Sequence, residues 1–385
     1  MENFRFSMPT TVIFGKGTEK DVGKETRKLG SRALLHYGSG SIKKSGLYES
    51  VVAALKREGV EFVELGGVQP NPRLELVHEG VRLCREHKLD CILAVGGGSV
   101  IDSAKAIGVG VPYSGDVWDF YERKGEPSET LPLGVVLTIP AAGSEASMSS
   151  VVSRGDRKLA INFDLIRPVF AIMNPELTYS LPPYQTAAGA ADIMSHILER
   201  YFTNVDHVDL TDRLCEATLK TMIHNTPIAL AEPNDYHARA EIMWASTLAH
   251  NDLLSTGRVG DWATHMIEHE LSALYDVTHG AGLSVVFPAW MHHTYRHDID
   301  RFVQFAVRVW GVEQDFEAPE RTALEGIDRL TQFWKSIGMP VTLPELGVPQ
   351  DRLEEMAKRA VAFGPVGSFV SIREPDALAI LRLAV

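Results

Sequence analysis

One aspartate and four histidines carry the most chemistry in this chain of 385 residues. Asp192-Ile-Met-Ser-His196 sets a carboxylate and an imidazole four residues apart, and His265-Met-Ile-Glu-His269 repeats that spacing with two imidazoles. Side chains four apart on a helix stand on one face, one turn above the other. His279-Gly280 follows shortly after. Two facing helices could therefore bring Asp192, His196, His265 and His279 to one point as one oxygen and three nitrogens. That is a ligand set for a divalent transition metal. Three neutral imidazoles and one carboxylate leave such an ion with net positive charge and an open position, which suits a Lewis acid acting on an alcohol or carbonyl oxygen. The small residues Ala187-Ala-Gly-Ala-Ala191 before Asp192, and Gly280 and Gly282 after His279, allow close helix packing. The chain holds 14 histidines, so most are bystanders, and His292, His293 and His297 read as helix-surface residues.

The elements that must position these residues come in two styles. The first half alternates short apolar strands, at Thr11–Phe14, Ala33–Tyr37, Val60–Leu65, Cys91–Val95 and Val135–Ile139, with helical spacing at Leu47/Val51/Ala54/Leu55 and Leu74/Val77/Val81/Cys84. That alternation predicts a parallel sheet flanked by helices. After Leu181-Pro182-Pro183 long helical patterns take over: Tyr184–Phe202, Asp209–Asn225, Tyr236–Ser255 and Asp261–Leu274, with a tail helix over Asp376–Val385. A boundary near residue 178 then divides an α/β domain, 1–178, from an all-α domain, 179–385.

Glycine-rich turns end several strands. Gly96-Gly97-Gly98-Ser99 joins a strand to a helix carrying Asp102 and Lys105, and such a turn exposes backbone N–H groups at a helix N-terminus to a phosphate. The spacing is not the GxGxxG of the usual dinucleotide fingerprint. The turn Gly38-Ser39-Gly40-Ser41 lacks the carboxylate that bonds an NAD ribose, and two serines followed by Lys43-Lys44 suit a 2′-phosphate, which favours NADP over NAD. A solvated turn with surface lysines has the same letters. Thr138-Ile-Pro140-Ala-Ala-Gly143-Ser144-Glu145 offers a further polar loop.

The bulk numbers exclude other classes. With 45% hydrophobic and 23% charged residues the composition is that of a globular protein. A formal charge of −12 argues against nucleic acid and anionic membranes as partners. No signal-peptide core or run of about 20 apolar residues appears, so a cytoplasmic location is expected. Cys84, Cys91 and Cys215 are too few and scattered for a disulfide framework and read as apolar fillers.

Taken together, the motifs Phe14-Gly-Lys-Gly17, Pro70-Asn-Pro72, Gly96-Gly-Gly-Ser-Val-Ile-Asp102, Gly143-Ser-Glu145, Asp192-x3-His196-x2-Glu199 and His265-x3-His269-x9-His279-Gly280 resemble the iron-containing, group III alcohol dehydrogenases. The likeness runs from Phe4 nearly to the C-terminus and is greatest to the NADP-linked butanol dehydrogenase and broad aldehyde reductase branch. It implies a dehydroquinate-synthase-like architecture: a dinucleotide-binding α/β domain, a helical metal domain and an active site in the cleft between them. It places the metal ligands, Fe²⁺ by preference and Zn²⁺ as the alternative, on Asp192, His196, His265 and His279. His269 falls near substrate and nicotinamide as a proton relay. Cofactor contacts fall on Gly38, Ser39 and Ser41 at the adenosine, Gly97, Gly98 and Ser99 at the pyrophosphate, Asp102 at the helix start, and Thr138 and Lys158 beside the nicotinamide, with Asn71 a weaker member. The expected substrates are short- to medium-chain alcohols or aldehydes, with Met194, Trp244, Trp262, Leu253 and Leu254 as pocket or core material, and the expected assembly is a homodimer. Ala142, where the family commonly has threonine, and Asn174, where it has an acidic residue, depart from the pattern. Two other readings compete: a dehydroquinate synthase-like, metal- and NAD-dependent lyase, and a non-catalytic dinucleotide-binding protein.

Overall fold

The computed structural model describes residues 1–385. Eight strands form: β1 (Thr11–Phe14), β2 (Arg32–Gly38), β3 (Glu61–Val68), β4 (Cys91–Gly97), β5 (Leu133–Ile139), β6 (Ser149–Arg154), β7 (Arg157–Asn162) and β8 (Phe170–Met173). Six of them make one sheet in the order β1-β8-β5-β4-β2-β3, and every pairing in it is parallel. Parallel strands covered on both faces read as near-continuous apolar runs, and the packing shows why. Along β4, Ile92 and Ala94 enter one core while Cys91, Leu93 and Val95 enter the other. β6 and β7 pair separately as an antiparallel hairpin.

The five strands read from sequence are all present, and β1 has the expected bounds. β8 and the hairpin were not anticipated. β8 is four residues long, and the hairpin mixes buried and half-exposed side chains with polar residues in both strands, so neither gives a long apolar run. The helices Pro183–Tyr201, Asp209–Ala231, Tyr236–His250, Ala263–Tyr275 and His279–Thr294 follow, and no named strand occurs after Met173. The second of these runs through Pro227 to Ala231 rather than stopping at Asn225. The third ends at His250, ahead of a separate 3₁₀ turn at Leu253–Ser255.

By contact the chain forms two compact units. The α/β unit comprises Ser7–Leu181 and Pro233–Asn251, and the helical unit comprises Met1–Phe6, Pro182–Glu232 and Asp252–Val385. The Tyr236–His250 helix thus belongs with the sheet: Met243 enters one of its cores, and Thr247 Oγ1 donates to Glu145 at 2.6 Å. The helical unit is centred on an aromatic cluster in which Phe202 meets Trp290, Phe302, Phe305 and Phe369. Cys84, Cys91 and Cys215 are free and buried, as expected of fillers. No helix is long and apolar enough to cross a membrane.

Candidate functional site

Asp192 and His196 lie one turn apart on the Pro183–Tyr201 helix, where His196 Nε2 is 3.3 Å from Asp192 Oδ1. His265 and His269 hold the same relation on the Ala263–Tyr275 helix, and His279 opens the next helix. Ligand atoms of Asp192, His265 and His279 lie within 4.8 Å of one another. The His196 and His265 rings are 4.6 Å apart and those of His265 and His279 5.3 Å. Asp192, His265 and His279 therefore come together, and His196 adjoins them through Asp192 and the His265 ring. Gly280 makes this possible: a Cβ there would lie 2.0 Å from the Ala188 carbonyl oxygen, so the helices bearing Asp192 and His279 touch backbone to backbone.

Two further carboxylates orient the imidazoles, and sequence reasoning gave neither a role. Glu199 Oε1 accepts His265 Nδ1–H at 2.8 Å, the His265 backbone N–H at 3.1 Å and the Thr264 hydroxyl, while Oε2 accepts the Trp262 N–H at 2.6 Å. Glu268 Oε2 accepts His279 Nδ1–H, and its Oε1 accepts the Ser272 hydroxyl. Both glutamates are fully buried. A carboxylate on Nδ1 fixes the tautomer with its lone pair on Nε2, the arrangement that accompanies metal-ligating histidine. The spacing gives only a faint signal: Glu199 follows His196 by three residues and Glu268 follows His265 by three, one turn along the same helix face, as glutamates do on many helices.

Trp262 adds a clamp. It caps the second helix with φ +71, a left-handed conformation unusual for a bulky residue. Its ring stands edge-on to His196 and His265 at 5.8 and 5.3 Å, and the Arg200 guanidinium lies 4.6 Å from its centroid. Beside it, Asp261 accepts the N–H groups of Phe369 and Ala263. Burial, then the neighbouring Glu199 charge, push the Asp261 carboxyl up.

His265 Nε2 is buried without any hydrogen-bond partner while its Nδ1 is fully committed. A buried orphan nitrogen is costly unless something binds it. The buried carboxylates Asp192, Glu199 and Glu268 around these rings make the pocket cation-seeking. The donor set fits a divalent transition metal. His269 is buried with its ring 5.7 Å from that of His279, and it groups with Glu268 and His279 rather than with Asp192. The bystander reading of three histidines holds: His292 is exposed, His293 lies 3.6 Å from Asp376, and His297 bonds Asn204. Of the apolar candidates, Met194 and Leu254 are core, Trp244 packs edge-on against Phe14, and Trp262 packs against the His196 and His265 rings.

In the α/β unit the nucleotide candidates gather at the C-terminal ends of four adjacent strands, where such sheets take ligands. Gly38 ends β2 and Ser39 and Ser41 follow it, Asn71 follows β3, Gly97 ends β4 with Gly98 and Ser99 opening the next helix, and Thr138 lies near the end of β5. Asn71 is buried and holds φ +53. Gly97 presses so closely on β5 that a Cβ would meet Ile139 at 2.9 Å, and a Cβ on Gly98 would meet Ala142 at 3.3 Å. Lys158 is buried on the hairpin.

Asp102 faces inward. Its carboxylate accepts the Ser144 hydroxyl at 2.5 Å and the Val151 N–H at 3.1 Å, tying the hairpin to the Gly98–Gly110 helix. Burial raises the Asp102 carboxyl despite the nearby Lys105 charge. Lys105 is itself buried, donates to Ser144, Ser147 and Ser149, and is brought down to about 8 by desolvation. Of the two departures from the family pattern, Asn174 has a local reason and nothing in the structure explains Ala142. Asn174 Oδ1 accepts the Glu176 N–H at 3.1 Å and its Nδ2 donates to Glu19 at 2.8 Å, so it is a structural cap. The Ala142 carbonyl accepts His250 Nδ1–H at 2.8 Å.

Comparison with known proteins shows the family. The model for iron-containing alcohol dehydrogenases matches residues 9–175, and that for the C-terminal part of the Fe-containing alcohol dehydrogenase family matches residues 186–385. The chain belongs to the iron-containing alcohol dehydrogenase family, in its butanol dehydrogenase branch. It is 43% identical to NADH-dependent butanol dehydrogenase A of Clostridium acetobutylicum, with 99% of each chain covered. It is 37% identical to the NADPH-dependent aldehyde reductase YqhD of Escherichia coli, with 94% of each covered. The crystal structure of NADH-dependent butanol dehydrogenase A from Thermotoga maritima superposes with a TM-score of 0.97 at 39% identity, covering 100% of this chain and 99% of that one. The protein is a metal-dependent alcohol dehydrogenase or aldehyde reductase using a nicotinamide cofactor and an iron-type metal, which sets aside the lyase and non-catalytic readings.

Proposed function

We propose that this chain interconverts short- to medium-chain aldehydes and alcohols with NADP(H) as the preferred nucleotide, butanal and butanol being the model pair. The observation that carries the reading is the His265 imidazole, anchored at Nδ1 by Glu199 with a buried, unpartnered Nε2 beside Asp192. Asp192, His196, His265 and His279 would hold the metal, Fe²⁺ by preference with Zn²⁺ as the alternative. When bound, a divalent cation supplies Lewis-acid polarisation of a substrate oxygen. Glu199 and Glu268 hold the two imidazoles in the ligating tautomer, and Trp262 restricts their tilt. His269 passes a proton to or from the substrate oxygen.

The nucleotide reading rests on the turn after β2, which offers Ser39 and Ser41 and no carboxylate, with Lys43 and Lys44 next in sequence. Gly97, Gly98 and Ser99 present backbone N–H groups to the pyrophosphate at the helix N-terminus. Thr138 and Lys158 attend the nicotinamide half, Asn71 shapes the adjoining turn, and Asp102 acts through the hairpin that it anchors. Relatives named for NADH and for NADPH both occur, so the turn has to decide between them. The test is butanal reduction with NADPH and NADH, with and without chelator, after reloading with Fe²⁺ or Zn²⁺. Chelator-resistant turnover would overturn the metal assignment, and equal kcat/KM for the two nucleotides would overturn the NADP preference.

A further inference from the structure

Lys43 is not a free surface cation. Its ammonium is 3.7 Å from Glu64 Oε2, 4.6 Å from the Tyr48 ring centroid and 5.0 Å from that of Tyr37. The same carboxylate accepts the Tyr37 hydroxyl at 2.8 Å and the Tyr48 hydroxyl at 2.6 Å. One anion and two π faces thus surround the ammonium. The cage is fixed to the sheet. Tyr37 lies on β2 and Glu64 on its neighbour β3, where Leu35 pairs with Glu64. The Tyr37 ring also lies so close to Gly66 that a Cβ there would meet it at 2.6 Å. Tyr48 comes from the Leu47–Arg57 helix and meets Tyr37 edge-on at 5.9 Å.

This cluster adjoins the Gly38-Ser39-Gly40-Ser41 turn, with Lys43 in the short helix Ser41–Lys44 that follows it. A nucleotide 2′-phosphate carries close to two negative charges. At this turn it would have to draw Lys43 from Glu64 and bring its own charge toward that carboxylate. A nucleotide with a free 2′-hydroxyl meets neither cost.

We propose that Glu64 is a specificity-determining residue: by holding Lys43 it limits how far the turn favours a 2′-phosphorylated adenosine, so that both NADPH and NADH are accepted. This rests on the reading that the adenosine ribose lies at that turn. Lys43 supplies the attraction, Glu64 restrains it, and the two tyrosines fix the distance between them.

The experiment measures kcat/KM for NADPH and NADH, and calorimetric affinity for adenosine 2′,5′-bisphosphate and 5′-AMP, on the metal-loaded protein. Glu64→Gln keeps an acceptor for one tyrosine hydroxyl, lets the other hydroxyl accept from the amide NH2, and removes the charge. It is expected to raise kcat/KM for NADPH and affinity for the bisphosphate about fivefold, leaving NADH and 5′-AMP within about twofold. Lys43→Ala is expected to lower both 2′-phosphate readouts about tenfold with NADH unchanged. In the double variant the gain from Glu64→Gln disappears. If Lys43→Ala weakens NADPH while Glu64→Gln leaves the NADPH/NADH ratio unchanged, the Glu64 assignment is wrong and the reading of the turn stands. If Lys43→Ala affects neither nucleotide, the 2′-phosphate does not bind here and both are wrong. Unchanged melting temperatures of the variants exclude a folding cause.

Discussion

At the scale of single residues the proposed metal centre rests on pairs in which one member faces the ligand point and the other sets its direction. Glu199 makes four contacts, to His265 Nδ1, the Thr264 hydroxyl and two backbone N–H groups, so its carboxylate fixes both the imidazole and the strained turn at Trp262. Glu199→Gln keeps the shape and loses the charge. It is expected to lower metal affinity about 10- to 100-fold, read by chelator competition, whereas His265→Ala removes tight binding altogether. An affinity unchanged in Glu199→Gln would show that the pair does not prepare the ligand. His269 is tested separately: His269→Ala should keep metal content and lower kcat about 100-fold or more. The pairing of the proposed ligands Asp192 and His196 was legible because helical periodicity converts a spacing of four into a shared face. The roles of Glu199 and Glu268 were not, because a glutamate three residues from a histidine is ordinary on any helix. Only burial and the partner atom set these two apart.

At the scale of elements, strands buried on both faces announced themselves as apolar runs, while the short β8 and the polar hairpin acquire their place only through tertiary pairing. Helix contacts follow the same logic. Small residues before Asp192 and after His279 suggested close packing, and Gly280 against Ala188 shows how close. Gly280→Ala must push the backbones apart. The expected cost is about 1–3 kcal/mol in urea unfolding, accompanied by weaker metal retention as His279 moves from Asp192. The sheet holds a pH-sensitive contact of its own. His36 on β2 is wholly buried, donates from Nδ1 to the Leu65 carbonyl and accepts the Ser103 hydroxyl at Nε2, each at 2.9 Å. Burial pushes this imidazole down to about 4, from an ordinary value of 6.5. The unfolded chain therefore binds the proton first as pH falls. The contribution of His36 is intact above pH 6.5 and is lost as pH drops toward 4, by up to about 3 kcal/mol. His36→Gln should be less stable at neutral pH and should show a flatter stability–pH curve across that window.

At the scale of the whole molecule, the linear order of motifs and the order of packing part company. The change from strand–helix alternation to long helical patterns suggested a single cut near residue 178, and the family models leave a gap between 175 and 186. Contacts divide the chain near there too, yet they assign Pro233–Asn251 to the α/β unit and Met1–Phe6 to the helical one. Nothing in the sequence of Tyr236–His250 distinguishes it from the helices around it, since an amphipathic pattern reports that a face is buried and not what buries it. In the structure that face caps the loop after β5. Thr247 supplies a hydroxyl to Glu145, His250 bonds the Ala142 carbonyl, and Gly143 packs so closely that a Cβ would lie 2.7 Å from the Ser246 carbonyl oxygen. Glu145 is almost wholly buried, and desolvation raises its carboxyl. Thr247→Val leaves that group short of a donor in a dry setting, for an expected loss of about 1–3 kcal/mol in denaturant unfolding. Residues 1–178 expressed alone lack the helix entirely. They should show fast amide exchange through the loop Ala141–Ser147 and weakened cooperativity, and linking residues 233–251 back to that fragment should restore protection. Native-like exchange in the bare fragment would mean that the sheet needs no helix from the second half of the chain.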